Sequence, residues 1–131
     1  VVGLTSLVAD LPEGLDTQIG NGSRPLSGGQ AQRIALARAF LDKTRHILLF
    51  DEPTAHLDIE TEVELKEKML PLLDKHLVFF ATHRLHWMRQ MDEILVLDKG
   101  QIVEQGSFEE LTARKGNFYN LTQQMRREEV V

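Results

Sequence analysis

Two short, continuous apolar runs constrain this chain more than any other feature. Ile47-Leu48-Leu49-Phe50 and Leu77-Val78-Phe79-Phe80-Ala81 are too short for globular helices and lack the alternation of a half-solvated strand. Such runs suit strands buried on both faces of a parallel sheet. Between them Pro53 breaks the first run, and Asp58 can cap a helix carrying Ile59, Val63, Leu65, Met69 and four glutamates ahead of Pro71. A short helix over about 85–91 then leads into Ile94-Leu95-Val96-Leu97, and Asp98-Lys99-Gly100 predicts a hairpin turn into Gln101–Gln105. The alternation of strand and helix predicts an α/β fold with a mostly parallel sheet.

The flanks are less regular. Leu4, Leu7, Val8 and Leu11 fit the end of an amphipathic helix, and Pro12 to Pro25 reads as a loop by its Gly, Asp and Asn content. Ser27-Gly28-Gly29 opens a helix to about Asp42, with Ile34, Ala37 and Leu41 on one stripe and Arg33, Arg38 and Arg45 largely off it. Residues 108–111 and 118–124 predict terminal helix.

Composition closes off several function classes. The chain has 131 residues, 42% apolar and 27% charged, which suits one folded domain and excludes wholesale disorder. It contains no cysteine, so a disulfide scaffold, a Cys-ligated zinc and a thiol nucleophile are excluded. A net charge of −5 argues against nucleic-acid binding through bulk positive charge. No apolar run approaches the roughly 20 residues of a membrane-spanning helix. Val1-Val2-Gly3 carries no initiating Met or leader and is expected to lie inside something larger.

Three places carry candidate chemistry. Asp51-Glu52 directly follows the first buried run, where open α/β sheets bind ligands. One carboxylate there can hold Mg²⁺ and its neighbour can orient or deprotonate a water, although acidic turn residues are also common. Leu26-Ser27-Gly28-Gly29-Gln30 lets backbone approach an anion at a helix N-terminus, with the Ser27 hydroxyl as a further donor; an ordinary N-cap has the same wording. Thr82-His83 follows the second run, so parallel strands would bring His83 to the edge carrying Asp51 and Glu52. His46, His76 and His86 read as surface or boundary residues.

The order and spacing of Leu26–Gln30, Ile47–Glu52 with Pro53-Thr54, Leu57-Asp58 and Thr82-His83 resemble an ABC-type ATPase nucleotide-binding domain over practically the whole chain. The resemblance implies a P-loop NTPase-like core and ATP and Mg²⁺ as cofactors. It makes Ser27, Gly28, Gly29 and Gln30 the signature that contacts ATP held by a partner domain, and Asp51 the residue on the Mg²⁺ side. Glu52 becomes the base that orients water, Ala55–Asp58 the D-loop and His83 the switch histidine. Residues 1–46 would be the end of a helical subdomain and residues 47–131 the later half of the ATPase core. Leu11–Thr17 resembles exporter-type members, fused to membrane segments on the cytoplasmic face of the cell membrane. Ser23-Arg24-Pro25, Gln30–Arg33, His83-Arg84-Leu85 and Asp98–Ser107 are most similar to CydD-type subunits of thiol-reductant exporters, linked to cytochrome bd assembly.

Several positions depart from that pattern. Ala55-His56 stands where many members carry Ser-Ala, Asn21 where exporters often place Glu, and Phe108 where His is frequent. No Gly-Lys pair occurs anywhere, so the phosphate loop G-x-x-x-x-G-K-[ST] is absent from this sequence. The expectation is therefore an N-terminally truncated fragment, soluble by itself and silent in an ATPase assay, with apolar sheet edges that favour self-association. The parent would pair with a second nucleotide-binding domain and a transmembrane domain, and bind no nucleic acid. The rivals are a soluble ABC-type ATPase acting on DNA or ribosomes, which usually lacks the Leu11–Thr17 stretch, and a non-enzymatic module, which has no need of both Glu52 and His83.

Overall fold

A computed structural model describes residues 3–20 and 25–130. Asn21, Ser23 and Arg24, singled out above, lie outside the described residues. The chain divides into two compact units, one ending at Ala81 and the other beginning at Thr82.

The first unit contains α1 (Thr5–Asp10), a single 3₁₀ turn (Gly14–Asp16), α2 (Gly28–Leu41), β1 (Ile47–Asp51), α3 (Ile59–Leu73) and β2 (Leu77–Ala81). The strands β1 and β2 pair in parallel, Ile47 opposite Leu77 through Asp51 opposite Ala81, as the two apolar runs predict. Parallel neighbours need a crossover, and α3 supplies it. The expected burial of β1 on both faces is not realised in this chain. Leu48 and Phe50 are buried, with the Phe50 ring 5.9 Å from Phe40 of α2 and 5.7 Å from Phe80. On the opposite face Ile47, Leu49, Leu77 and Phe79 are exposed, Leu49 at 76%. Strand side chains alternate, so covering one face leaves every second residue of a doubly apolar run in water.

Two helices differ from their predicted stripes. In α2 Leu36 is buried and Leu41 is 77% exposed. Its many alanines leave no dominant stripe, so the surface beneath chooses the buried side chain. In α3 the buried line is Glu62, Leu65, Met69 and Leu73, while Ile59 and Val63 are exposed. The rotation puts a carboxylate on the inward face, where the Thr54 hydroxyl donates to it. Pro71 does not end α3, which continues to Leu73. It sits in the last turn, where one lost N–H bond interrupts little, and buried Leu73 anchors the end.

The second unit contains α4 (Leu85–Met88), β3 (Ile94–Asp98), β4 (Gln101–Gly106), α5 (Phe108–Arg114) and α6 (Asn117–Val130). The helix α4 stops short of the predicted Met91, whereas both terminal helices run longer than predicted. The antiparallel β3–β4 hairpin turns through Lys99 at φ 49° and Gly100 at φ 77°. Both are left-handed, the backbone a two-residue type I′ turn demands. The helix α5 opens on a capping box in which Ser107 and Glu110 each accept the other's backbone N–H. The Glu104 carboxylate of β4 accepts the N–H groups of Asn117 and Phe118, so β4 caps α6. Leu85, Val96, Phe108, Leu111 and Phe118 form the core, with Met88, Ile94 and Met125 against it. The Phe108 and Phe118 rings meet edge to face at 5.6 Å, and the Arg89 guanidinium lies 4.7 Å from the Phe108 centroid. Phe108 is thus a packing residue, which accounts for an aromatic there in place of histidine.

Candidate functional site

The start of α2 is built by its own sequence. Ser27 Oγ accepts the Gln30 N–H at 3.1 Å and the Gln30 side-chain oxygen accepts the Ser27 N–H at 3.0 Å. This reciprocal cap fixes the serine, and its hydroxyl hydrogen can still be donated. Helix geometry leaves the Gly28 and Gly29 N–H groups without intrahelical acceptors. The loop after β1 lies against these glycines. A Cβ on Gly28 would stand 3.1 Å from the His56 ring, and one on Gly29 would stand 3.0 Å from Leu57 Cδ2. The two segments approach closely here, so a side chain at either glycine would press on His56 or Leu57.

Asp58 caps α3, its Oδ1 accepting the Thr61 N–H at 2.8 Å. That backbone hydrogen bond is the main reason its carboxyl is held below the usual carboxylate range. Ser27, Gly28, Gly29, Arg33, His56 and Asp58 line an open depression of about 310 Å³. Ser27, Gly28, Gly29 and Asp58 are therefore brought together in one place, while Gln30 does not line it.

Asp51 and Glu52 lie at the end of β1. Asp51 is exposed, and Glu52 follows in a left-handed conformation at φ 46°. Its N–H donates to the Ala81 carbonyl at 2.8 Å, which locks the end of β1 to the end of β2. The Gln32 side chain reaches this turn from α2. Its Nε2 donates to the Glu52 carbonyl at 3.0 Å, and its Oε1 accepts the His56 N–H at 3.1 Å. Thr54, also buried, ties the turn to Glu62 of α3. Gln32, Thr54 and Glu62 carry no role in the sequence reading: a helical Gln and one of four glutamates on α3 look solvated until the backbone brings them to a partner. His83 is exposed and follows Thr82, whose Oγ1 accepts the Arg84 N–H at 3.0 Å.

The donor set can be tested against the implied cofactors. Magnesium is held by one or two carboxylates together with phosphate oxygens and water, so exposed Asp51 suits it without a cage. Among the described residues no cluster of three or more His, Asp or Glu could hold a metal by itself. The Gly28 and Gly29 N–H groups with the Ser27 hydroxyl suit the outer oxygens of a phosphate. What the residues present fit is one edge of a nucleotide.

Comparison with known proteins gives the same class. Residues 5–55 match the family ABC transporter. Over 119 residues the chain is 63% identical to the glutathione/L-cysteine transport system ATP-binding/permease protein CydC of Bacillus subtilis (strain 168), covering 91% of this chain and 21% of that protein. It is 45% identical over 124 residues to an ATP-dependent lipid A-core flippase of Syntrophus aciditrophicus (strain SB), covering 95% of this chain and 20% of the flippase. A solved structure of a bacterial Atm1-family ABC exporter with ATP bound superposes with a TM-score of 0.82 at 38% identity, over 94% of this chain and 21% of that one. The chain is similar to part of the nucleotide-binding domain of exporter-type ABC transporters. It spans about a fifth of the length of the curated relatives it matches. No helix among the described residues is long and apolar enough to cross a membrane.

Proposed function

We propose that this chain is the later part of the ATP-hydrolysing domain of an ABC exporter, residues 1–46 closing its helical subdomain and residues 47–131 belonging to its catalytic core. The observation that carries the reading is the assembly at the end of β1, where Asp51 and Glu52 follow a parallel strand and the signature turn packs on the adjoining loop. In this reading Asp51 stands on the Mg²⁺ side and Glu52 is the base that orients water. His83 reaches the terminal phosphate, and Ser27, Gly28, Gly29 and Gln30 serve the nucleotide held by a second domain, with Asp58 and its loop at the shared interface. Bound magnesium would supply positive charge to the phosphate oxygens as the phosphoryl group transfers; the chain supplies donors and a base.

Relatives named ATP-binding/permease proteins support an exporter on the cytoplasmic face of a membrane over a soluble ATPase acting on DNA or ribosomes. For the cargo we favour low-molecular-weight thiols, because the relatives from Bacillus subtilis and Escherichia coli are both named for glutathione/L-cysteine transport. Both carry the name CydC, so that half of a thiol exporter is supported over the CydD half which the sequence wording suggests. A role in cytochrome bd assembly rests on the resemblance to CydD-type exporters alone.

Glu52→Gln in the full-length transporter tests the central assignment. It should keep ATP binding and lower turnover by about 10²–10⁴-fold, the worth of a general base. More than a tenth of wild-type turnover would remove Glu52 from that role. Everted vesicles carrying the wild-type transporter should take up labelled cysteine or glutathione with ATP, and those carrying the variant should not. The present stretch alone, lacking a Gly-Lys phosphate loop, should bind Mg-ATP no tighter than millimolar by calorimetry; micromolar binding would overturn that expectation.

A further inference from the structure

We infer that Gln32 is a positioning residue, holding the Glu52 turn and the adjoining loop in one register against α2. The inference rests on the reading of Glu52 as the base, and it goes beyond it by naming what aims that base.

One side chain spans the turn. Gln32 Nε2 donates to the Glu52 carbonyl and Oε1 accepts the His56 N–H, at 3.0 and 3.1 Å. The two bonds engage both ends of the amide, so the side chain has one orientation that satisfies them. Gly28 and Gln32 are one helical turn apart and share a face of α2. That face is the one against which His56 packs.

Glu52 needs such a hold. At φ 46° it occupies the left-handed region that non-glycine residues adopt uncommonly and at some cost in strain. Its N–H is fixed by the Ala81 carbonyl, and its carbonyl receives both the Ala55 N–H at 3.2 Å and the Gln32 amide. Loss of the Gln32 donor leaves that carbonyl to the Ala55 N–H alone and loosens the hold on the left-handed peptide. The Glu52 carboxylate then swings with its Cα. A carboxylate that must orient one water is sensitive to such a shift, since displacement by about 1 Å can cost on the order of 10²-fold in rate.

Three substitutions in the full-length transporter separate this role from a general contribution to folding. Gln32→Leu removes both bonds, Gln32→Lys keeps a donor for the Glu52 carbonyl, and Gln32→Glu keeps only an acceptor for the His56 N–H. Gln32→Leu should lower kcat for ATP about tenfold or more, with KM within about twofold of wild type. Gln32→Lys should recover most of kcat and Gln32→Glu should not, whatever their melting temperatures. Should Gln32→Leu fail to fold, the lysine and glutamate pair still decides the matter. Retention of more than half of wild-type kcat in Gln32→Leu, or a lysine and glutamate pair ranked by melting temperature alone, overturns the proposal. Glu52→Gln is measured alongside. If it turns over normally, the assignment of the base fails and takes this inference with it. If it is inactive while Gln32→Leu is normal, only the role of Gln32 falls.

Discussion

The unit ending at Ala81 and the unit beginning at Thr82 assemble their cores differently, although each leaves apolar strand residues exposed, Leu97 and Ile102 among them in the second. In the second, a hairpin with one strong turn is closed by two capped helices, and Leu111 and Phe118 are almost entirely out of water. In the first, a parallel pair of strands covers one face and presents Ile47, Leu49, Leu77 and Phe79 on the other. Local pairing finishes a hairpin, whereas a parallel sheet depends on layers from distant segments. The candidate chemistry follows the same division. The residues that could meet a nucleotide in the first unit sit on turns held by single side chains, Gln32, Thr54 and Ser27, and not within a closed core.

The comparison breaks most directly at its two extremes. Leu111→Ala should destabilise the second unit by about 2–5 kcal/mol in chemical denaturation, because it empties a site with no exposure. Leu49→Ala should change stability by less than about 0.5 kcal/mol. If Leu49→Ala costs as much as Leu111→Ala, the exposed face is covered in solution. Sedimentation over a range of concentrations, with Leu49→Asp as the dissociating variant, would identify a second copy as the cover.

The turn after β1 sharpens the contrast at the next level. Thr54→Val removes the hydroxyl that faces the fully buried Glu62 carboxylate, and should cost about 1–3 kcal/mol by thermal unfolding. A loss below a few tenths would show that other donors already satisfy Glu62. Smaller again are the two capping boxes. Ser107→Ala and Ser27→Ala should each cost about 0.5–2 kcal/mol, and unequal losses would show which unit leans harder on its cap.

The smallest effect is a pH dependence confined to the first unit. Hydrogen bonds from the Thr44 hydroxyl, then from Arg45 and the Thr44 N–H, lower the Asp42 carboxyl from 3.8 to about 2. A depressed carboxyl stabilises the folded state fully above its unfolded value and loses that contribution as pH falls through the folded one. The Asp42 contribution should therefore be intact above about pH 4 and fade toward pH 2, and it should vanish in Asp42→Asn. Carbon-detected titration of the side-chain carboxyls checks both Asp42 and Asp58, whose carboxyl is likewise lowered. A midpoint for Asp42 near 3.8 would contradict the hydrogen-bonded geometry.

Legibility in the sequence tracks how local each determinant is. The parallel strands, the Ser27 cap, the Asp58 cap and the Asp98–Gly100 turn are written in neighbouring residues, because run length, N-cap chemistry and left-handed turn positions act over a few bonds. The motif order from Leu26 to His83 likewise needs only the chain, and it carries the resemblance to ABC-type nucleotide-binding domains. The buried face of α3 was legible only in part: Leu65 and Met69 are buried, whereas Ile59 and Val63 are exposed and the fold turned Glu62 inward to meet Thr54. Leu36 over Leu41 in α2 was settled by what lies beneath an alanine-rich helix. Gln32 shows the limit most clearly, since its partners Glu52 and His56 are remote in sequence and are reached only once α2 packs on the turn. Short-range stereochemistry and hydrophobic patterning are properties of the sequence itself. Which polar side chain spans two segments depends on where packing places them, and that was decided by the tertiary structure.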